Sequence, residues 1–421
     1  MVLPDAGNQE PWRFRRLTRS ELANLREGAI EETMTFSTCR QCVLEDSPGM
    51  NLGLDASGIC CNCHAYRSYV ASNRLEDAEA NADRLQSSVG EIKFAGMNSE
   101  YDSVLGLSGG MDSSYLALQA KRLGLRPLVV HFDNGWNSET AVRNVQNAVD
   151  KLKLDLHTYV IDWQEFKDLQ LSYLKASVVD IEVPTDHFIY ATLFEVASKF
   201  GIRSVLDGNN HATEFSGGSW KWSFDKTDLH NLRAIHRAHG GLRLRRYPKL
   251  GPYQRFYYRE IRGIRTVRLL DHVPYRIADV AAALRDGLDW QDPGGKHYES
   301  VFTRFYQGYI LPRKFGIDKR RIHYSNLIWS GQMTRERALE LLQAPPYPVE
   351  LQRQDREYFM KKLDYTERSF EEMMHAPVVP HEDYGTEADS FRLPLRVMGK
   401  ALRVYRSFRV RLLESSRTQA R

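Results

Sequence analysis

Strands and helices alternate through the middle of the chain, judging from the spacing of its apolar residues. Residues 101–108 (YDSVLGLS) form a short apolar run typical of a buried strand, and the helical pattern SSYLALQAKRLG follows a glycine turn. The same succession continues through RPLVVHFDNG, SETAVRNVQNAVDKL, LHTYVID, HFIYATLFEVASKFG and RSVLDGN. Such alternation predicts an α/β fold with a doubly wound, mostly parallel sheet. Ligands of such sheets bind at the carboxyl ends of the strands.

The sequence on either side of this α/β region divides the chain further. Residues 67–95 place apolar side chains on one helical stripe, which predicts a single connecting helix. The predicted parts are an N-terminal arm (1–36), a cysteine module (37–66), the connecting helix (67–95), the α/β domain (96–225), a helical C-terminal region (226–375), and a linker with a basic tail helix (376–421). The tail is basic and partly amphipathic, so we expect at most peripheral membrane contact.

Composition excludes several classes of protein. The 421 residues are 42% hydrophobic and 27% charged, as in soluble globular proteins, and the net charge is only +4. There is no run of about eighteen apolar residues that would span a membrane. The first residues lack the apolar stretch of a secretory signal, so a cytoplasmic location is expected. The small net charge does not by itself argue for nucleic acid.

The cysteines predict a metal site. All five lie between positions 39 and 63, and two CxxC pairs are separated by seventeen residues. This spacing suits a tetrahedral zinc ion, although four cysteines also hold iron–sulfur clusters. The fifth cysteine is Cys61, and His64 is a possible substitute ligand. The predicted zinc ligands are Cys39, Cys42, Cys60 and Cys63.

A phosphate-binding loop is predicted where the first strand meets its helix. Two glycines let the backbone approach an anion closely, and the amides at the helix N-terminus point at it. Asp112 would repel a phosphate, so it is expected to hold Mg²⁺ or to orient the loop. The motif lacks the GKS or GKT ending of a Walker A loop. Its residues are Ser108, Gly109, Gly110, Met111, Asp112, Ser113 and Ser114.

This SGGxDS loop resembles that of the PP-loop ATP pyrophosphatases, a HUP-like superfamily. The resemblance implies ATP and Mg²⁺ as ligands, with the loop on the β,γ-pyrophosphate and a substrate oxygen attacking the α-phosphorus. The superfamily places adenosine where Asp133 and Asn134 follow the second strand. Gly208 follows a later strand, in a stretch that departs from the superfamily pattern and leaves the metal ligand open. Turn formation alone would also explain these residues.

The combined order of motifs is similar to that of the N-acetyl sugar amidotransferases of surface-polysaccharide and flagellin-sugar biosynthesis. The likeness runs from about Thr38 to about Leu342 and includes the cysteine module, SGGMDSS, DNGWNSE, VPTDH, GKHYES, KFGIDKR and SGQMTR. It implies that ATP adenylylates the acetamido oxygen of a nucleotide-linked N-acetyl sugar and that ammonia displaces AMP, which leaves an acetamidino group. Lys296 and His297 then join Asp112 as catalytic candidates, and the substrate-binding candidates are Glu299, Arg304, Lys319 and Arg320.

The source of the ammonia is predicted to be a separate subunit. Common glutaminases need a cysteine nucleophile, but position 2 is Val2 and every cysteine belongs to the metal module. The resemblance implies a glutaminase partner, and a cyclase-like subunit that channels ammonia is a further candidate. The main alternative is a tRNA-modifying PP-loop enzyme that adenylylates a base. The near-neutral charge and the GKHYES segment weigh against it, so no nucleic acid is expected. Another alternative is a non-catalytic nucleotide-binding scaffold.

Overall fold

The computed structural model describes residues 37–46, 52–215 and 223–388. The N-terminal arm predicted over 1–36 and the basic helix predicted within 392–413 lie outside these residues. Among the described residues, no helix is both long and apolar enough to cross a membrane.

Five parallel strands form the central sheet in the order β3-β2-β1-β4-β5. The strands are β1 (Ser103–Gly106), β2 (Pro127–Asp133), β3 (Asp155–Val160), β4 (Ser204–Leu206) and β5 (Arg265–Val267). The strand order reverses direction between β1 and β4, which is where a doubly wound sheet opens a crevice for ligands. The predicted fold class is confirmed. Strand β5 comes from the region predicted to be helical, and it extends the sheet beyond β4.

Helices surround the sheet and account for most of the C-terminal region. Those before β5 are α1 (Cys61–Ser72), α2 (Ala78–Ala95), α3 (Met111–Arg122), α4 (Glu139–Leu152), α5 (Trp163–Ala176), α6 (Val183–Lys199), α7 (His211–Glu214), α8 (Leu229–His239) and α9 (Pro252–Phe256). Those after β5 are α10 (Ile277–Leu288), α11 (Val301–Phe305), α12 (Leu311–Phe315), α13 (Arg320–Trp329), α14 (Arg335–Leu342), α15 (Val349–Lys362) and α16 (Glu367–His375). A π-helical turn, Tyr306–Ile310, joins α11 to α12.

Both faces of the sheet are covered, because successive residues of each strand point to opposite sides. Val104 and Val130 belong to the core that contains α5 and α6. Leu105 and Val129 belong to the core on the other face, with α3 and α10. The strands are therefore buried on both sides, as the continuous apolar runs in the sequence predicted.

Two helices replace the single connecting helix predicted over 67–95. Helix α1 ends at Ser72, and Arg74 then adopts a left-handed backbone conformation with a φ of 49°. The Asp77 side chain accepts a hydrogen bond from the amide of Ala80 and thereby caps the start of α2. The apolar stripe predicted one helix because apolar spacing alone does not mark helix ends, whereas the Asp77 cap does.

The linker predicted over 376–391 is packed against the body over its described part, residues 376–388. His381 is buried, and the Asn231 side chain donates hydrogen bonds to the carbonyls of His381 and Gly385. Glu387 accepts a hydrogen bond from the Leu229 amide at the start of α8. These buried polar partners lie far away in sequence, so composition alone did not reveal them.

Candidate active site

The loop between β1 and α3 is held in shape by its own hydroxyl groups. The Ser108 and Ser113 hydroxyl oxygens lie 3.0 Å apart, and the Gly110 amide donates to the Ser108 hydroxyl. Gly109 has a φ of 82°, and a β-carbon there would lie 2.2 Å from the Ala141 carbonyl oxygen. The backbone therefore needs glycine at this position. The loop opens onto the N-terminus of α3, where unpaired amides favour an anion.

A cavity of about 370 Å³ lies beside this loop, at the carboxyl ends of β1 and β4. The structure brings most of the predicted site residues to its wall. They are Ser108, Gly110, Asp112, Ser113, Gly208, Lys296, His297, Glu299, Arg304, Lys319 and Arg320. A β-carbon on Gly208 would lie 3.7 Å from the Ser113 amide nitrogen, so the two loops run close together.

Four predicted cofactor residues are not on this wall. Gly109 supports the loop from behind, since its carbonyl accepts hydrogen bonds from the side chains of Asn144 and Trp290. The Ser114 hydroxyl is buried, with no hydrogen-bond partner among the described residues. Asp133 and Asn134 use their carboxylate and amide oxygens within their own turn, where they accept from the amides of residues 135 and 136. The side chains of Asp133 and Asn134 therefore stabilise their own turn, which is the alternative role that the sequence also allows.

A charged cluster forms around Asp112 at the mouth of the loop. The Lys296 ammonium lies 3.1 Å from Asp112 Oδ2 and 2.8 Å from Glu214 Oε1. The Tyr275 hydroxyl and the Asn210 side-chain amide also donate to the Asp112 carboxylate. Side chains from the N-cap of α7, the loop before α10 and the loop before α11 thus meet at the Asp112 carboxylate of α3.

Ion pairing determines which groups of this cluster are charged. Burial alone would lower the pKa of Lys296, but Asp112 and Glu214 outweigh it and the pKa is raised. Burial would likewise raise the pKa of Glu214, but Lys296 and His297 lower it. The pKa of Tyr275 is raised well above its usual value by burial and by Asp112. The lysine and Glu214 are therefore charged near neutral pH, and the tyrosine is a neutral hydrogen-bond donor.

His297 has a strained backbone and lies on the polar wall of the cavity, the part lined by Glu214, Lys296 and Glu299. Its φ is 64°, in the left-handed region that side chains other than glycine rarely adopt. Its two ring nitrogens lie 3.8 Å from Glu214 and 3.8 Å from Glu299, and its ring centre lies 5.5 Å from that of His323. Burial and the neighbouring positive charges lower the pKa of His323 well below its usual value, so His323 is neutral. A strained histidine between carboxylates suits proton transfer.

Both predicted substrate-binding arginines already have protein partners. Arg304 forms two hydrogen bonds of 2.7 Å with Asp355. Arg320 binds Asp318 and donates to carbonyls after α14, including that of Ala344 at 2.7 Å. Lys319 lies 3.8 Å from Glu182, and Glu299 packs against the phosphate loop. Both guanidinium groups therefore support the wall.

The other end of the cavity is apolar. Phe132, Leu193, Phe194, Val205 and Leu206 line it near the sheet. Gly106, at the end of β1, keeps this end open, because a β-carbon there would lie 3.0 Å from the Phe132 ring. An apolar slot beside an anion-binding loop suits a planar base whose phosphates reach the loop.

Sequence reasoning missed several residues of the wall. Glu214 lies in the stretch after β4, in which the sequence pattern indicated only Gly208, and the Asn210 side chain caps the short helix α7. Asp186 lies in the VPTDH segment, which carries the family resemblance without indicating a role for this residue. Tyr275 and His323 had no recognisable signal, because a single tyrosine or histidine within a helical region is usually a packing residue.

The four predicted metal ligands converge on one point, and all four cysteines are buried. The closest sulfur pairs are 3.6, 3.7 and 3.8 Å apart. A tetrahedral ion with metal–sulfur bonds of about 2.3 Å separates its ligands by roughly 3.8 Å. This spacing suits a single ion such as zinc, and it is too tight for a cluster of several irons. Cys61 lies outside the group.

Comparisons with known proteins support the resemblance in the C-terminal region. Residues 299–398 match a family model described as the C-terminal domain of WbpG-like LPS biosynthesis proteins. The predicted likeness to a surface-polysaccharide family is therefore confirmed over these residues. No curated protein matches the chain.

Similar solved structures include an NAD synthetase and an NMN synthetase, both with low TM-scores. The NH3-dependent NAD synthetase of Campylobacter jejuni is 19% identical with a TM-score of 0.25, and the match covers 32% of this chain and 58% of that one. The NMN synthetase of Francisella tularensis is 15% identical with a TM-score of 0.30, and the match covers 71% of this chain and 98% of that one. Because TM-scores this low carry no argument about the fold, the fold class rests on the observed order and direction of the strands.

Proposed function

We propose that this protein is an ATP-dependent, AMP- and pyrophosphate-forming amidotransferase synthetase of the C–N ligase type. In this proposal it acts on a nucleotide-linked N-acetyl sugar used in surface-glycan biosynthesis, such as that of lipopolysaccharide O-antigen. The observation that carries the proposal is the joining of the SGGMDSS loop with Lys296 and His297 of the GKHYES segment in one cavity. The likeness of residues 299–398 to a domain of LPS biosynthesis proteins supports the pathway.

The anion-binding part of the cavity accounts for the first step. The loop amides and the Ser108 and Ser113 hydroxyls hold the β,γ-pyrophosphate, while the apolar end receives adenine. The acetamido oxygen attacks the α-phosphorus, and pyrophosphate leaves. The Lys296 ammonium offsets the charge that accumulates on the leaving group. Magnesium would supply further charge neutralisation, and the facing carboxylates of Asp112 and Glu214 are the oxygen ligands it prefers.

The polar wall accounts for the second step. Ammonia adds to the carbon of the adenylylated amide, and AMP leaves with the former amide oxygen. His297 lies between Glu214 and Glu299 and can accept the proton that the nitrogen loses. An amide oxygen leaves poorly by itself, whereas AMP leaves readily, which explains the need for ATP.

Partner subunits complete the proposal. All five cysteines lie in the metal module, so the chain has no cysteine nucleophile for glutamine hydrolysis. A separate glutaminase would supply ammonia, and a cyclase-like subunit would guide it to the cavity. The proposed place of action is the cytoplasm, where nucleotide sugars and ATP are available.

Product analysis tests this function. Purified protein is incubated with ATP, Mg²⁺, ammonium and candidate nucleotide-linked N-acetyl sugars, and the products are separated by chromatography. We expect AMP and pyrophosphate in equal amounts, with ammonium as a donor and glutamine inactive. Asp112→Ala should lower turnover by about a thousandfold or more while the circular-dichroism spectrum is kept. ADP and phosphate as products would refute the mechanism.

A further inference from the structure

The cysteine module, residues 37–66, packs directly against the wall of the cavity. One face of helix α13 lines the cavity, and the opposite face contacts the module. His323, Tyr324 and Leu327 line the cavity. Residues 321, 325 and 329 recur every four positions and so share the opposite face of the helix.

This opposite face forms hydrogen bonds with the cysteine module. The Ser325 hydroxyl accepts a hydrogen bond of 3.3 Å from the Val43 amide, and the Arg321 guanidinium donates to the Val43 carbonyl at 2.9 Å. The Trp329 indole N–H donates to the Cys63 sulfur at 3.1 Å. Arg335, at the start of α14, donates to the carbonyls of Cys39 and Cys42. Helices α13 and α14, which both contribute to the cavity wall, are therefore hydrogen-bonded to the turns that contain the cysteines.

An aromatic cluster continues the connection to the charged group at the loop. The Trp329 ring stacks on Tyr66 with ring centres 5.4 Å apart, and the Phe215 ring meets Tyr66 edge-on at 5.3 Å. Phe215 directly follows Glu214, and its amide donates to the buried Asn326 side chain at 2.9 Å. The Glu214 carboxylate pairs with Lys296. The backbone that carries Glu214 is thus held between the module and α13.

We infer that the cysteine module sets the position of the cavity wall, with Trp329 as the positioning residue that links the Cys63 sulfur to α13 and to Glu214. A thiolate bound to a metal is fixed in place and accepts a hydrogen bond from the partly buried Trp329 indole, so an ordered module orders Trp329. Without the hydrogen bond to Cys63 the Trp329 ring is less restrained. Phe215 and α13 then both lose a fixed packing neighbour. The contacts that carry this inference are independent of the reaction proposed above, and only the nucleotide-binding measurement below depends on that proposal.

The test compares Trp329→Phe with Trp163→Phe in the full chain loaded with zinc. Trp329→Phe keeps an aromatic ring but removes the N–H donor. Trp163 packs beside Trp136, apart from the residues that line the cavity, so its variant controls for the loss of one tryptophan. Three quantities are measured: zinc release to a chelator, hydrogen exchange of residues 211–215 and 320–329, and the Kd for Mg²⁺ with a non-hydrolysable ATP analogue.

We expect Trp329→Phe to bind one zinc, to release it faster, and to exchange faster in both segments, with no change in the exchange of β2. The Kd should rise by about three- to tenfold, and Trp163→Phe should change none of these quantities. Wild-type zinc release and exchange in Trp329→Phe would overturn the inference. So would a variant in which all segments, β2 included, exchange faster by the same factor, since that is general destabilisation. If exchange changes as expected while neither protein binds the ATP analogue, the proposed function fails and the inference stands.

Discussion

The four clustered cysteines lie between positions 39 and 63, whereas the charged group around Asp112 gathers residues from positions 112 to 296. Two short turns bring the cysteines together, and their spacing along the chain is enough to define the site. Asp112, Glu214 and Lys296 meet only after the sheet, α7 and the segment before α11 have packed. The first site is determined locally, and the second depends on the whole fold.

The two sites also differ in how their charges are balanced. The four sulfurs lie within 4.8 Å of one another, so as thiolates they would need a positive ion to offset their charge. The Asp112 and Glu214 carboxylates already have a positive partner, because the Lys296 ammonium lies between them. The cysteine module should therefore depend on metal for its fold, whereas the charged group should remain ordered without any ligand.

The largest expected effect is the loss of one metal ligand. Cys60→Ser should abolish tight zinc binding and unfold the module, because structural zinc contributes about 10–16 kcal/mol of apparent binding energy. Metal analysis and limited proteolysis near residues 52–72 measure the result. Cys61→Ser is the matched control, since Cys61 lies beside the cluster but outside it, and it should keep one zinc per chain. Equal metal content in the two variants would contradict a four-cysteine site.

A smaller effect is expected when the charged group loses its cation. Lys296→Met leaves two partly buried carboxylates without their ammonium, which should cost roughly 2–4 kcal/mol of unfolding free energy near neutral pH. Urea denaturation measures this loss. Lys167→Met removes an ion pair to the exposed Asp364 and should cost less than about 1 kcal/mol.

The pH dependence of this variant sharpens the comparison. Because the pKa of Glu214 is lowered in the folded wild type, Glu214 contributes stability above its unfolded pKa of about 4.3, and that stability is lost as the pH falls through the folded pKa. Lys296→Met removes the largest contribution that lowers this pKa, so we expect burial to dominate and the variant to become more stable as the pH is lowered from 7 to 5. Parallel stability curves for the two proteins would show that the lysine does not set the charge of Glu214.

The smallest effect concerns the loop between β1 and α3. Gly109→Ala places a β-carbon against the Ala141 carbonyl at a φ of 82° and should cost about 1–3 kcal/mol. Gly201→Ala is the matched control, because its φ is 70° but nothing lies within 4 Å of the new β-carbon. Thermal unfolding should show a larger loss for position 109. Equal losses would mean that the backbone at Ala141 yields, and that the loop is less rigid than its contacts suggest.

Local patterns predicted the parallel sheet and the convergence of the four cysteines, but they did not reveal helix ends, distant partners or side chains that act within their own turn. The apolar stripe over 67–95 predicted one helix, because it does not reveal the Asp77 cap. Residues 376–388 have the composition of a linker, yet Asn231 and Leu229 bind them to the body. Asp133 and Asn134 were candidates for nucleotide binding, but their side chains stabilise their own turn.

The sequence by itself determined which parts of the chain fold locally: the strand–loop–helix that contains SGGMDSS and the two CxxC turns. These depend on backbone freedom, helix ends and ligand spacing, all of which act over a few residues. The tertiary structure alone decided that Lys296 pairs with Asp112 and Glu214, that Arg304 and Arg320 are used within the protein, and that Trp329 contacts Cys63. Such contacts join residues far apart in the sequence, and only the packing of the whole chain brings them within bonding distance.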